Sequence, residues 1–297
     1  MDKAINQRLN DGRWSDGTAA NARVLLLAVT NQEWAYRTVD TISTGEIREL
    51  LNEKLKERSQ THKASVAKYI KAVFEYAVEN SILPNNPCPR IKYKDNDKIQ
   101  GVLKMDEVAL LLRKAFEENH PHKWLWVLAI YTGMRNGELM ALEWTDIDIE
   151  NRTIKITKSF SKRSSGNKST KSGDERNAEI AEELVPYLLK LKEEQGQDKL
   201  VLPRDRNWLK GEQARVLKGF LYKIGLPEVR FHDLRASWAT AVLKSGANLG
   251  QLQSMGGWRD TKTLRKYIRK AALDVKGTTS NLKILDAANV IMIARKG

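Results

Sequence analysis

The sequence predicts a mainly α-helical protein with a small β-sheet, divided into a helical N-terminal domain and a larger α+β domain. Three observations predict it. Apolar residues recur at helical spacing, as in Ile47, Leu50, Leu51 and Leu55, and again in Val66, Tyr69, Ile70, Val73, Phe74 and Ala77. The run Pro84-Asn85-Asn86-Pro87-Cys88-Pro89, followed by polar residues to Gln100, cannot propagate a helix and marks a boundary. The stretch Thr153–Lys158 alternates apolar and polar residues as a strand does. A chain of 297 residues accommodates two domains at roughly 100–200 residues each.

The elements follow in order. A first helix is predicted over Thr18–Thr30. Ser43-Thr44-Gly45-Glu46 has the spacing of a capping box and opens a second, and the Val66 stripe marks a third. These make residues 1–83 a helical domain and 84–100 a linker. In residues 101–297, helices are expected over Met105–Asn119 and His122–Tyr131. Thr153–Lys158 is a strand, and Ser159–Asp174, rich in Ser, Gly and Lys, is a loop or mobile hairpin. Ile180–Glu194 reads as helix, Lys199–Leu202 as a short strand and Gly211–Ile224 as helix. A further helix runs from His232 to Lys244 with Gly246 as its stop. Two more fill Leu249–Met255 and Thr261–Ala271. Near the end, Leu282, Leu285, Ala288 and Met292 form a last apolar helical stripe. About 15 polar residues precede the first predicted helix, too few for a further domain.

Charge narrows the function. Lys and Arg number 51 against 37 Asp and Glu, so 51 − 37 leaves a net charge of +14, with a pI near 9.7. Such an excess favours a polyanionic partner, most often nucleic acid. It is concentrated in two runs. Lys158, Lys162, Arg163, Lys168 and Lys171 lie together without an acid, and Arg259, Lys262, Arg265, Lys266, Arg269 and Lys270 lie together with Asp260 alone. A single cysteine, Cys88, excludes an intramolecular disulfide and a thiolate zinc cluster. Four histidines make a multi-histidine metal site improbable, and no phosphate-binding G-x-x-x-x-G-K-[ST] loop occurs. No apolar run reaches the ~18 residues of a membrane span, and the N-terminus lacks a signal-peptide stretch. The expectation is a cytoplasmic protein without membrane contact, metal or cofactor.

Three separated pieces carry the candidate chemistry. In Thr132-Gly133-Met134-Arg135-Asn136-Gly137-Glu138-Leu139, Arg135 and Glu138 share a helix face. In Phe231-His232-Asp233-Leu234-Arg235, His232 and Arg235 do the same. A planar guanidinium matches two phosphate oxygens, and an imidazole moves a proton near neutrality. Gly257-Trp258 is followed nine residues later by Tyr267, the only tyrosine of the second basic run. Taken singly, each has a plainer structural reading: a surface ion pair, a structural histidine, a packed tyrosine.

In joint order and spacing these motifs resemble the tyrosine recombinases of the phage integrase family, over about residues 100–270. The resemblance implies a helical core-binding domain followed by a catalytic domain. It casts Arg135 and Arg235 as the two catalytic arginines, His232 as the head of the H-x-x-R motif and Tyr267 as the nucleophile. Glu138 resembles the acidic residue beside the first arginine. Thr170-Lys171-Ser172 is similar to the element carrying a mobile lysine, which nominates Lys171, with Lys168 and Lys162 as alternatives. Trp258 stands where most members place histidine and where the Cre-like branch has tryptophan. An indole N–H donates but cannot accept a proton, so packing and one hydrogen bond are its expected contributions.

The implied activity is cutting and rejoining of double-stranded DNA through a 3′-phosphotyrosyl intermediate and a Holliday junction, by a homo-tetramer on two DNA sites. Further implications are a clamp of two domains around the duplex, docking of the terminal stripe onto a neighbouring protomer and accessory DNA-bending proteins as partners. Two other readings stay open: a type IB topoisomerase-like relaxing activity, and a catalytically silent DNA-binding relative.

Overall fold

The computed structural model describes residues 1–91, 93, 101–161, 166–169, 175–196, 198–204, 206–258 and 264. The chain forms two compact units, Met1–Lys98 and Ile99–Gly297.

The first unit is helical: α1 (Asp2–Asn10), α2 (Asp16–Ala35), α3 (Thr44–Glu49) and α4 (Gln60–Glu79). Ser15, Ser43 and Ser59 cap α2, α3 and α4 by accepting from backbone N–H groups of the first turn. The capping box at Ser43 forms as the spacing predicts, since Glu46 Oε2 accepts from the Ser43 N–H at 2.9 Å. Directly after α3 the chain widens into a π turn over Leu50–Lys54. Leu50, Leu51 and Leu55 still reach the core with Ile47, Val66, Tyr69, Ile70 and Phe74. Two differences from the sequence reading stand out. The helix expected over Thr18–Thr30 extends to both sides as α2, and α1 occupies the segment read as merely polar. α1 has few apolar residues, but Ile5 is fully buried and anchors it. After α4, Cys88 and Ile91 pack onto the same core. Burial pushes the Cys88 thiol up to about 11, so it is protonated at neutral pH.

The second unit holds α5 (Met105–Glu117), α6 (Lys123–Thr132), α7 (Asn136–Ala141), β1 (Ile147–Asp148), β2 (Thr153–Ile156), β3 (Lys158–Ser161), β4 (Gly166–Ser169), β5 (Arg176–Glu179), α8 (Val185–Gln195), α9 (Arg206–Lys210), α10 (Gln213–Lys223), α11 (Phe231–Lys244) and α12 (Leu249–Gly256). Strands β1, β2 and β5 form an antiparallel sheet in that order. The register places Ile156 opposite Arg176 and Ile154 opposite Ala178. Strands β3 and β4 form a separate antiparallel hairpin, the hairpin alternative for Ser159–Asp174. Every residue of α6 from Trp124 to Ile130 is buried, which makes it the central helix of this unit.

Here too the structure amends the reading. Lys199–Leu202 is not a strand; a single bridge, Glu143 to Leu200, forms there, made by the Trp144 N–H on Lys199 O and the Val201 N–H on Leu142 O, and the chain bends at Lys199, Val201 and Leu202, so the pairing does not extend. The helix expected from Ile180 begins at Val185, after a 3₁₀ turn, because residues 176–179 pair with β2. Strand β5 and helix α9 have no counterpart in the sequence reading. The predicted helix Thr261–Ala271 and the terminal stripe Leu282–Met292 lie outside the described residues, apart from Leu264. Among the described residues no helix is long and apolar enough to cross a membrane.

Candidate active site

Three chain reversals build the site. At the first, α6 ends on Gly133, whose φ of +60° is the left-handed conformation that closes a helix. A Cβ here would stand 2.1 Å from Cε3 of Trp238, so only glycine fits. The chain then extends through Arg135, the N-cap of α7, and Glu138 lies in the first turn of that helix. Glu138 Oε2 accepts from the Arg135 N–H at 2.7 Å, and Oε1 accepts from Arg135 Nη1 at 2.8 Å. The i,i+3 pair seen in the sequence is therefore real, but its carboxylate is only 2 % exposed.

At the second reversal, α11 starts at Phe231. Asp233 turns back on the N-cap residue, accepting from Arg230 N, Nε and Nη2 at 2.9, 3.0 and 2.9 Å. Thus the acid within His232-Asp233-Leu234-Arg235 caps the helix. His232 is exposed on the first turn, and Arg235, one turn on, is buried. Crowding by surrounding protein and then the charge of Arg235 push the His232 pKa below its ordinary value, so the ring is neutral at pH 7.

The third reversal is the end of α12. Gly257 caps it with φ +61°, and Trp258 follows, 9 % exposed, its ring stacked on Trp238 at 5.9 Å. The Arg235 guanidinium carbon lies 4.0 Å from the centre of the Trp258 ring system. Packing, the first of the two contributions expected of Trp258, is what the geometry displays.

The last carbonyls of a helix have no partner within it. Here backbone N–H groups satisfy Gln253 and Ser254, and three guanidiniums take the next three. Arg176 Nε donates to Met255 O at 2.9 Å. Arg235 Nη2 donates to Gly256 O, and Arg135 Nη2 donates to Gly257 O at 2.8 Å. Arg235 Nη1 also donates to Gly133 O, which joins the first reversal to the third. Residues 122 and 21 positions apart in the chain are thereby set side by side.

Arg176 is the residue that the sequence reading missed. It is 8 % exposed, and its fork holds both oxygens of Glu138, Nη1 to Oε1 at 3.0 Å and Nη2 to Oε2 at 2.6 Å. One signal was present: Arg176, Ala178 and Ile180 fall on one face at strand spacing, and the latter two are plainly inward residues. Burial alone would raise the Glu138 pKa, but hydrogen bonds and charge from Arg176, then Arg135, outweigh it and hold the carboxyl below its usual range. Three guanidiniums and one carboxylate, which bonds two of them, Arg135 and Arg176, leave a net of two positive charges, a site that attracts an anion. Lys155, Glu175, Arg176, Asn177, Gln253, Ser254, Gly257 and Trp258 line an adjoining cleft of about 670 Å³.

The structure thus brings together Arg135, Glu138, Arg235 and Trp258, with His232 on the first turn of the helix that carries Arg235. Lys171 and Tyr267, and the alternative Lys162, lie outside the described residues. Lys168 falls on β4, opposite Ser159.

Comparison with known proteins agrees in extent with this unit. The pattern of the phage integrase family matches residues 101–273. A "tyrosine recombinase XerC-like" protein of Caldanaerobacter subterraneus is 26% identical over 267 residues, covering 77% of this chain, which spans about two thirds (67%) of that relative's length. Among solved structures, the Tn1549 transposon integrase in complex with a circular intermediate DNA superposes with a TM-score of 0.75 at 18% identity, over 95% of this chain and 98% of that one. A lambda integrase from a tetramer bound to a Holliday junction gives 0.68 at 17% identity, over 88% and 77%. At these identities the structures speak to the fold.

Proposed function

The chain belongs to the phage integrase family, and from that premise we propose that it is a site-specific DNA recombinase acting through a covalent 3′-phosphotyrosyl link. The observation that carries the reading is the placement of Arg135 and Arg235 on adjacent carbonyls, Gly257 and Gly256, beside Trp258. In this reading both arginines face one phosphodiester and stabilise the charge that grows on its non-bridging oxygens. Glu138 orients Arg135, and the Trp258 N–H adds a donor.

The Tyr267 oxygen attacks phosphorus, and the bond to the 5′-oxygen breaks. Lys171 gives that leaving oxygen its proton, and neutral His232 takes the proton from the tyrosine. Such groups typically contribute ~10²–10⁴-fold each. The new ester conserves the bond energy, so a different 5′-hydroxyl can displace the tyrosine without a nucleotide. Two duplexes need four such tyrosines, hence a tetramer on two DNA sites passing through a Holliday junction. Support for the assembly comes from the lambda integrase relative, which forms a tetramer on such a junction. Residues 1–83 act as the core-binding DNA domain, 84–100 as linker and 101–297 as the catalytic domain, whose terminal stripe docks onto a neighbouring protomer.

The test begins with covalent capture of nicked duplexes from a randomised DNA library by the unaltered chain. Tyr267→Phe should still bind the recovered duplex yet form no adduct on a denaturing gel. An adduct that persists overturns the assignment of the nucleophile. Relaxation of supercoiled plasmid without site preference would favour a topoisomerase instead.

A further inference from the structure

We infer that Arg176 is a positioning residue of the cleavage reaction, holding Glu138 so that Arg135 keeps both its direction and its free positive charge toward the phosphate. The inference rests on the function proposed above and adds a residue outside the motifs that the sequence singles out.

The argument begins with the carboxylate. Glu138 receives four hydrogen bonds, two from Arg135 and two from Arg176, with each oxygen taking one from either residue. Its single negative charge is therefore shared between two guanidiniums. Without Arg176 the whole charge would fall on Arg135, and the cation meant for the phosphate would be neutralised from within the protein. Direction is set in the same way. The Arg135 side chain is 43% exposed and has room to swing. It is aimed by two anchors, Glu138 Oε1 and Gly257 O. Arg176 holds both: its fork fixes Glu138, and its Nε fixes the Met255 carbonyl, two residues before Gly257.

Packing points the same way. A Cβ on Gly257 would come within 2.9 Å of Arg176 Cδ, so the turn leading to Trp258 is seated directly on the arginine stem. A lysine has one nitrogen and could not bridge a carboxylate fork and a carbonyl together.

The experiment uses the full chain and the nicked duplex recovered by covalent capture, with Arg176→Gln and Arg176→Lys beside the unaltered protein. Three quantities are read: the fraction of protein that forms adduct, the single-turnover rate constant at saturating DNA, and Kd. Arg176→Gln should slow the rate constant by ~10²-fold, the scale of a roughly 1 Å misplacement. Arg176→Lys restores the charge without the fork and should sit about tenfold below the unaltered chain. Kd should move by no more than about threefold, since the loss falls in the transition state. A role confined to folding would instead lower the reacting fraction at an unchanged rate constant, and that result overturns the inference. Should Arg176→Gln fail to fold, Arg176→Lys decides alone: a rate within about twofold of the unaltered chain overturns it. An unaltered chain that forms no adduct brings down the proposed function itself, whereas normal adduct rates in all three proteins bring down only this inference.

Discussion

Replacing Glu138 by glutamine tests the centre of the site with one atom. The carboxylate is 2 % exposed and accepts from Arg135 N and Nη1 and from Arg176 Nη1 and Nη2, at 2.7, 2.8, 3.0 and 2.6 Å. An amide keeps one oxygen for two of these donors and turns N–H groups toward the other two. Removing one partner of a buried ion pair costs about 3–5 kcal/mol, because the remaining charge stays uncompensated. The Arg176 side chain is 6% exposed and bears that cost in full, whereas Arg135, at 43%, reaches water. The lower end, about 3 kcal/mol, is therefore expected. In a unit of this size each kcal/mol is worth roughly 2–4 °C, which gives a fall of about 6–12 °C in Tm. Calorimetry of the full chain at pH 7.5 reads it on the transition of the second unit. The sign of the pH dependence is also set. The Glu138 pKa is held low in the folded state, so its contribution is complete above the ordinary carboxylate pKa and disappears as pH falls through the folded value. The gap between the two proteins should thus be constant at neutral pH and close in acid. A Tm change below about 2 °C would refute the idea that this carboxylate holds the guanidiniums together.

Three other expectations follow. Gly133→Ala needs a left-handed φ of +60° and puts its methyl 2.1 Å from Trp238, so strain and overpacking of about 2–6 kcal/mol should lower Tm or soluble yield; an unchanged Tm contradicts the packing. The depressed pKa of His232 leaves it neutral at pH 7, so the adduct rate should be flat through neutrality and fall only below the ordinary imidazole range. His232→Gln should abolish that acid limb, and its survival would assign the limb to another group. Lys171→Ala should be slow on ordinary DNA and rescued by a 5′-bridging phosphorothiolate, whose leaving group needs no proton; absence of rescue shifts the role to Lys168 or Lys162.

Much of both units was legible because the signals are local. The apolar run at Trp124–Tyr131 marked a buried helix, and the Ser43–Glu46 spacing marked a helix start. Strand β5 was not legible, because Arg-Asn-Ala-Glu carries no run of β-branched or aromatic residues and becomes a strand only by pairing with β2. The π turn after α3 was equally hidden, since the apolar spacing there suits an ordinary helix. For the site, the motifs around Arg135, His232–Arg235 and Gly257–Trp258 stood out by spacing, and Glu138 was singled out as the partner of Arg135.

The sequence by itself determined the two-part helical organisation, the basic character and which short motifs are candidates for the chemistry, because periodicity, caps and charge are properties of neighbouring residues. Only the tertiary structure decided that three arginines, from the N-cap of α7, from β5 and from α11, meet at the end of α12, and that Arg176 belongs among them. That meeting depends on orphaned helix carbonyls and one buried carboxylate, whose need for partners is met by residues up to 122 positions away and leaves no mark on local sequence.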